Sequence, residues 1–320
     1  MTPPQTDIIK AADIIRAGGL VAMPTETVYG LAADATNDLA VARIYEAKGR
    51  PSFNPLIVHV SCQQMAEREA VFSRLARQLA LSFWPGPLTM VLPRRPDASV
   101  SLLVSAGLDT LAIRMPAHAL AHDLIRAAER PLAAPSANLS GTVSPTTAQH
   151  VADSLGGKVD MILDGGQTEI GLESTILKID GERAMLLRPG GLSVEEIERL
   201  AGVKIERASA SGPIEAPGML ASHYAPQARL LLNAGAPGDR DFYLDFGDSG
   251  FSRRPNTLNL SRSGSVREAA ANLFAYLRAA DAECRAKALK AISVAPIPDR
   301  GLGEAINDRL ARAAAPKPKP

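Results

Sequence analysis

Eight short apolar runs, LVAM, PLIVHV, LTMVLP, LAIRMP, PLAAP, MILDGG, STILKI and MLLRPG, recur through the first 190 residues. Between them lie segments with helix-like patterning, near 38 to 47, 63 to 83, 117 to 129 and 146 to 155. Strand-length runs alternating with helix-period segments confine the chain to an α/β architecture around a twisted mixed sheet, because each kind of element buries its apolar side against the other. Ile8, Ala11, Ala12 and Ile15 predict a first helix that stops at Gly18 and Gly19. Ser144 before Pro145 predicts a helix cap with a first-turn proline, and Ser193 with Glu196 predicts a capping box.

A shift in composition divides the chain. The stretch ASASGPIEAPG, from 208 to 218, is small, polar and proline-bearing, as a linker would be. Beyond it RLLL, FYLDF, TLNL and AISVAP flank a helix opened by Ser265 and Glu268, and a last helix lies near 302 to 312. The expected organisation is an N-terminal α/β domain over 1–205, a linker over 206–228, a smaller Rossmann-like α/β domain over 229–313 and a disordered tail over 314–320.

The 35 Lys and Arg residues against 34 Asp and Glu leave a net charge of +1, so no global field draws the protein to nucleic acid and any anion site is local. Aromatic residues make up only 4%, which leaves few platforms for unpaired bases. Cys62 and Cys284 are too distant for a CxxC pair and support neither a disulfide framework nor a thiolate metal site. No leader pattern and no membrane-length apolar run is present, so the expectation is a soluble cytoplasmic protein without a membrane partner.

Familiar nucleotide and hydrolase signatures are missing: there is no GxxxxGK[ST], GLGEAI fails GxGxxG, and PSANLSGTVSPT lacks the GxSxG elbow. His118 and His122 share a helix spacing without the glutamate of HExxH and read as solvated or capping residues. What remains is a set of polar segments at the ends of strands, where loops of α/β sheets meet ligands. They carry Lys48, Arg50, Arg114 and Arg188, either ordinary surface charges or a phosphate or carboxylate pocket. Ser136, Asn138, Ser140, Ser144 and Thr146 either donate to phosphate oxygens or cap and turn the chain, and Ser174 either meets a small polar ligand or closes a turn.

Taken in order, PTETVYGL, KGRP with NPLIVH, RMPAH, APSANLSG with SPT, LESTI and LRPG resemble the threonylcarbamoyl-AMP synthase family, and APGMLASHYAP resembles the connection of its long form. Met23 and Ala216 depart from the expected phenylalanine and serine. The resemblance implies a nucleotidyltransferase that converts L-threonine, bicarbonate or CO2, and ATP, with Mg2+ on the phosphates, to L-threonylcarbamoyladenylate and pyrophosphate. A downstream threonylcarbamoyl transferase acting on tRNA is the implied partner. Carried over residue by residue, the resemblance assigns threonine to Thr27, His59, Arg114, Ala134 and Ser174. It assigns ATP to Arg50, Asn54, Thr110, Ser136, Ser144 and Arg188, the catalytic phosphate end to Lys48, Arg50, Ser136 and Asn138, and a lid over the nucleotide to Tyr224. The competing reading is a double-stranded RNA or tRNA binder with a basic cavity, disfavoured by charge and aromatic content. A hydrogenase-type carbamoyl-transfer maturation protein would need zinc-binding CxxC pairs, which two lone cysteines do not supply.

Overall fold

The structure, a computed structural model, describes residues 5–208, 215–219 and 222–316. The larger unit runs α1 (Gln5–Arg16), β1 (Val21–Met23), β2 (Gly30–Asp34), α2 (Asp38–Lys48), β3 (Ile57–His59), α3 (Gln63–Glu69), α4 (Arg74–Phe83), β4 (Leu88–Pro93) and β5 (Thr110–Arg114). It continues through α5 (Ala119–Ala128), β6 (Leu132–Ala133), α6 (Ala148–Leu155), β7 (Met161–Ile162), β8 (Thr175–Asp180), β9 (Arg183–Arg188), α7 (Val194–Ala201) and β10 (Ile205–Arg207). Its strands form a mixed sheet in the order β10-β9-β8-β4-β5-β3-β6-β2-β1-β7.

Strand alternation gives this sheet two different faces. Val58, Ile113, Ala133 and Leu177 enter the main core under α2, α4 and α7. The register pairs Ile57 with Ala112 and His59 with Arg114, so these four residues share the opposite face. On that face α1 and α5 cover the β1, β2 and β6 end through Ile15, Leu124, Met23 and Leu132. Further along, Ile57, Val91, Ala112, Ile176 and Leu187 pack under Ala216 of the linker. The ground between these two covers is where a ligand has room.

The second unit is a parallel sheet in the order β11-β14-β12-β13, made of β11 (Arg229–Leu231), β12 (Asp241–Asp245), β13 (Thr257–Asn259) and β14 (Ala291–Val294), with α8 (Val266–Ala286) and α9 (Leu302–Ala314). Its core also takes in Val28, Val143 and Leu172 of the first unit.

Several expectations change. The predicted helix over 63 to 83 is two, because Ala70 is extended and bridges to Arg94 before Ser73 caps α4 with a bond accepted from the Ala76 N–H. Ser144 and Pro145 do not open a helix: α6 starts at Ala148 under Thr147, whose hydroxyl accepts from the His150 N–H. β2, with the sequence GLAAD, escaped notice since small residues carry little strand preference. α9 continues through Ala314, into the span expected to be tail, while 317–320 and 209–214 lie outside the described residues.

At Gly171 the two units press tightly together. The residue sits at φ +74°, and a Cβ there would come within 2.6 Å of the Ala270 carbonyl oxygen and Ala271 Cα of α8. Gly171→Ala is expected to lower unfolding stability by about 1–3 kcal/mol, the usual cost of overpacking, read as a fall in thermal midpoint. An unchanged midpoint would show that the units do not dock this tightly.

Candidate functional site

The space left on the open face is a narrow cavity of about 50 Å³. Its wall includes Thr27, His59, Arg114, Ala134 and Ser174, all five residues assigned to threonine, and Arg50, Ser136, Arg188 and Tyr224 of the set assigned to ATP.

Each cation is held by the chain before any ligand arrives. Arg114 donates from Nε to the Gly86 carbonyl at 3.2 Å and from Nη1 to the Thr27 hydroxyl at 2.9 Å. Its Nη2 lies 2.7 Å from Glu26 Oε1. That contact is an ion pair out of line for a hydrogen bond, so both Glu26 oxygens remain without a hydrogen-bond donor among the described residues. Arg50 follows the left-handed Gly49 that ends α2, and donates to the carbonyls of Asn54 at 3.1 Å and Pro55 at 2.8 Å. Burial lowers its pKa to about 10, which still leaves it protonated, and its remaining N–H groups are available to a ligand. Arg188 donates to the Ser174 carbonyl at 2.8 Å and to Pro217 of the linker at 3.0 Å.

The two histidines on the wall are neutral. Burial, then the neighbouring Arg114, depress the His59 pKa to about 3. His59 Nδ1 lies 3.2 Å from the Ile57 carbonyl, which assigns the proton to Nδ1 and leaves Nε2 as an acceptor. His223 is depressed to about 3 as well, again by burial first.

Other assigned residues are placed differently. Lys48 is 2% exposed and does not line the cavity; its Nζ donates to the carbonyls of Ser136 at 2.5 Å and Asn138 at 2.6 Å. Burial, and secondarily Arg50, lower its pKa well below the ordinary lysine value, and even a neutral amine has two N–H groups for two carbonyls. Asn138 turns its amide N–H groups to Leu139 and Thr142, off the cavity wall. Thr110 starts β5 at the end away from Arg114 and is not on the wall either. Asn54 is also outside the lining, yet it is buried with neither side-chain amide atom paired among the described residues, a state that costs about 1–3 kcal/mol unless a ligand pairs them.

Ser144 gives its hydroxyl proton to Glu173 Oε1 at 2.5 Å. Glu173 is held ionised despite burial, chiefly by Arg309 and Arg188. The serine oxygen is therefore left to accept, and cannot donate to phosphate in this state. Residues the sequence did not mark out include Glu173, His223 and Gly218 on the wall, and Arg309 behind it. Gly218 sits at φ +82°, and a Cβ there would lie 2.7 Å from the Tyr224 hydroxyl, so the linker needs a glycine at this step. Tyr224 is fully buried, stacked on Phe274 of α8 with ring centroids 5.6 Å apart.

Lys48, Arg50, Arg114 and Arg188 are all less than one-tenth exposed. An RNA duplex could not lie against cations at such depth, whereas a small anion could enter among them. Among the described residues no group of three or more His, Cys, Asp or Glu side chains is arranged for a metal, and no helix is long and apolar enough to cross a membrane.

Residues 13–190 match the Sua5, YciO and YrdC family model, described as telomere recombination, and residues 192–315 match the model for the threonylcarbamoyl-AMP synthase C-terminal domain. The chain is 43% identical over 321 residues to the threonylcarbamoyl-AMP synthase of Pyrococcus abyssi, covering 95% of this chain and 93% of that protein. It is 43% identical over 327 residues to the Bacillus subtilis enzyme of the same name, covering 96% and 92%. The crystal structure of P. abyssi Sua5 complexed with L-threonine matches with a TM-score of 0.89 at 40% identity, over 98% of this chain and 96% of that one.

The buried neutral histidines make stability depend on pH. An unfolded histidine takes up a proton near its ordinary value of 6.5, whereas native His59 does so only near 3. Stability is thus complete above the unfolded pKa and declines as pH falls towards the native one, by about 1.4 kcal/mol per pH unit for each such group. Urea unfolding between about pH 7 and pH 5 should show this decline, with one proton's share removed in His59→Gln. Equal slopes in the two proteins would contradict the buried neutral state.

Proposed function

This chain belongs to the threonylcarbamoyl-AMP synthase family in its two-domain form, and from that premise we infer that it makes L-threonylcarbamoyladenylate and pyrophosphate from L-threonine, bicarbonate or CO2, and ATP. The observation that carries the site assignment is the joining of Thr27, His59, Arg114, Ala134 and Ser174 in one cavity with Arg50, Ser136 and Arg188. The threonine amine captures CO2 as a carbamate; a carbamate oxygen forms a bond to the α-phosphorus of ATP, and the bond to pyrophosphate breaks. No covalent protein intermediate is required, so catalysis lies in holding two anions together and neutralising the charge between them.

Arg114 receives the threonine carboxylate, its guanidinium already oriented by Gly86, Thr27 and Glu26. His59 Nε2, fixed as an acceptor, takes a hydrogen bond from threonine; with so low a pKa it orients rather than stores a proton. Arg50 and Arg188 face the triphosphate, and Asn54 offers the nucleotide its unsatisfied amide; Ser144, fully buried and outside the lining, holds Glu173 instead. Lys48 acts through the loop of Ser136 and Asn138, whose carbonyls it ties down. The only carboxylate among the described residues of the cavity wall, Glu173, is committed to Ser144 and Arg309, so these residues do not build a resident metal site. Mg2+ belongs with ATP as part of the substrate.

We assign 1–205 to the catalytic unit, 206–228 to the linker and lid, and 229–313 to the second unit. A lid suits the chemistry, since the carbamate and the mixed anhydride with AMP are both hydrolysed by water. A labile product also needs prompt transfer, which fits a threonylcarbamoyl transferase acting on tRNA in the cytoplasm.

Supplying ATP, bicarbonate and each amino acid in turn should give an aminoacyl-carbamoyl adenylate with threonine and with no other; absence of that product would overturn the reading. Arg50→Ala should lower threonine-dependent pyrophosphate release by about 100-fold or more, as removal of a charge-stabilising donor does elsewhere, without loss of fold. Unchanged turnover would remove Arg50 from the phosphate end.

A further inference from the structure

Arg309, on the last helix of the second unit, is fully buried and reaches into the first. It donates from Nε to Glu173 Oε2 at 2.8 Å and from Nη2 to the Pro189 carbonyl at 2.9 Å, while Nη1 lies 2.5 Å from Asp308 Oδ2. Its Cζ stands 5.1 Å from the ring centroid of Tyr224. Burial alone would lower the Arg309 pKa, but the surrounding Tyr224, Glu173 and Asp308 raise it. One guanidinium thus joins the second unit, the wall of the cavity and the lid tyrosine.

Among the described residues Glu173 is the single carboxylate lining the cavity, beside Arg50, Arg114 and Arg188. An uncompensated carboxylate there would repel a triphosphate and compete with it for Arg188, whose hydrogen bonds among the described residues go to the carbonyls of Ser174 and Pro217 and the Ser174 hydroxyl. We propose that Arg309 is a positioning residue for nucleotide binding: it neutralises Glu173 from behind and holds it against Ser144, which keeps Arg188 available to ATP. The pocket for ATP is then electrostatically complete only while α9 is docked. In this account the second unit supplies a charge the first unit lacks, in addition to shutting out water.

The proposal rests on the ATP-dependent reaction inferred above, and the test separates the two. Pyrophosphate release is measured against ATP concentration at saturating threonine for the wild type, Arg309→Met, Arg309→Lys and the double variant Arg309→Met with Glu173→Gln, each checked by thermal melting. Arg309→Met is expected to raise the KM for ATP about tenfold or more, with the KM for threonine changed by less than about threefold. The double variant removes the uncompensated carboxylate and should return the KM for ATP to within about threefold of wild type. A merely structural role for Arg309 would not be relieved in this way, so a folded double variant no better than Arg309→Met overturns the proposal. If Arg309→Met does not fold, Arg309→Lys decides: it retains the charge and should hold the KM for ATP within about threefold, and a rise of about tenfold or more overturns the idea. A wild type without threonine- and ATP-dependent pyrophosphate release would overturn the functional reading and this proposal together.

Discussion

Burying several cations on one face of a sheet is costly, because each loses its hydration and repels its neighbours. Arg50, Arg188 and Lys48 meet that cost through backbone carbonyls, which supply partial negative charge without cancelling the full positive one. Among the described residues Arg114 alone of the four has a carboxylate within ion-pair distance, Glu26, and that pairing is poorly aligned. The cavity therefore retains an unmet demand for anions. The orphaned amide of Asn54 adds an unmet demand for hydrogen bonds. A site of this kind is stabilised by its substrates, and the affinity it offers was withheld from the stability of the fold.

The demand also explains how the molecule is put together. A face that carried only apolar residues could be sealed by packing, as α1 and α5 seal the β1, β2 and β6 end. The middle of the sheet must stay open to threonine and ATP and yet closed to water. The linker and second unit meet both requirements: Ala216 packs on the apolar part of the face, Pro217 ties to Arg188, and Tyr224 completes the cavity wall. Gly171 and Gly218 allow the close approaches that this roof needs.

Much of the architecture was legible in the order of residues. Apolar runs of strand length located most strands, and the capping residues Ser193 and Ser265 marked the starts of α7 and α8, where each hydroxyl accepts the expected backbone bond. The four cations beside glycine, proline and small residues offered an anion pocket as one of two readings, three of them line the cavity, and the ordered motifs identified the family. Less legible was which polar atoms remained free. Ser144 and Lys48 looked alike in sequence to residues that face a ligand, but a carboxylate 29 residues further on takes the hydroxyl of one, and two backbone carbonyls take the amine of the other.

The sequence by itself determined the two-unit α/β plan, the strand-length apolar runs and the side-chain types that could meet an anion. These depend on short-range propensity, on apolar patterning along the chain and on side-chain identity, all local properties. Only the tertiary structure decided that the cavity spreads over a face of the sheet, that Glu26 stands behind Arg114, and that Arg309 compensates Glu173 from 136 residues away. Such partners carry no signal in sequence because a buried charge answers to whatever lies within a few ångströms of it, and that is settled by how the chain folds back on itself.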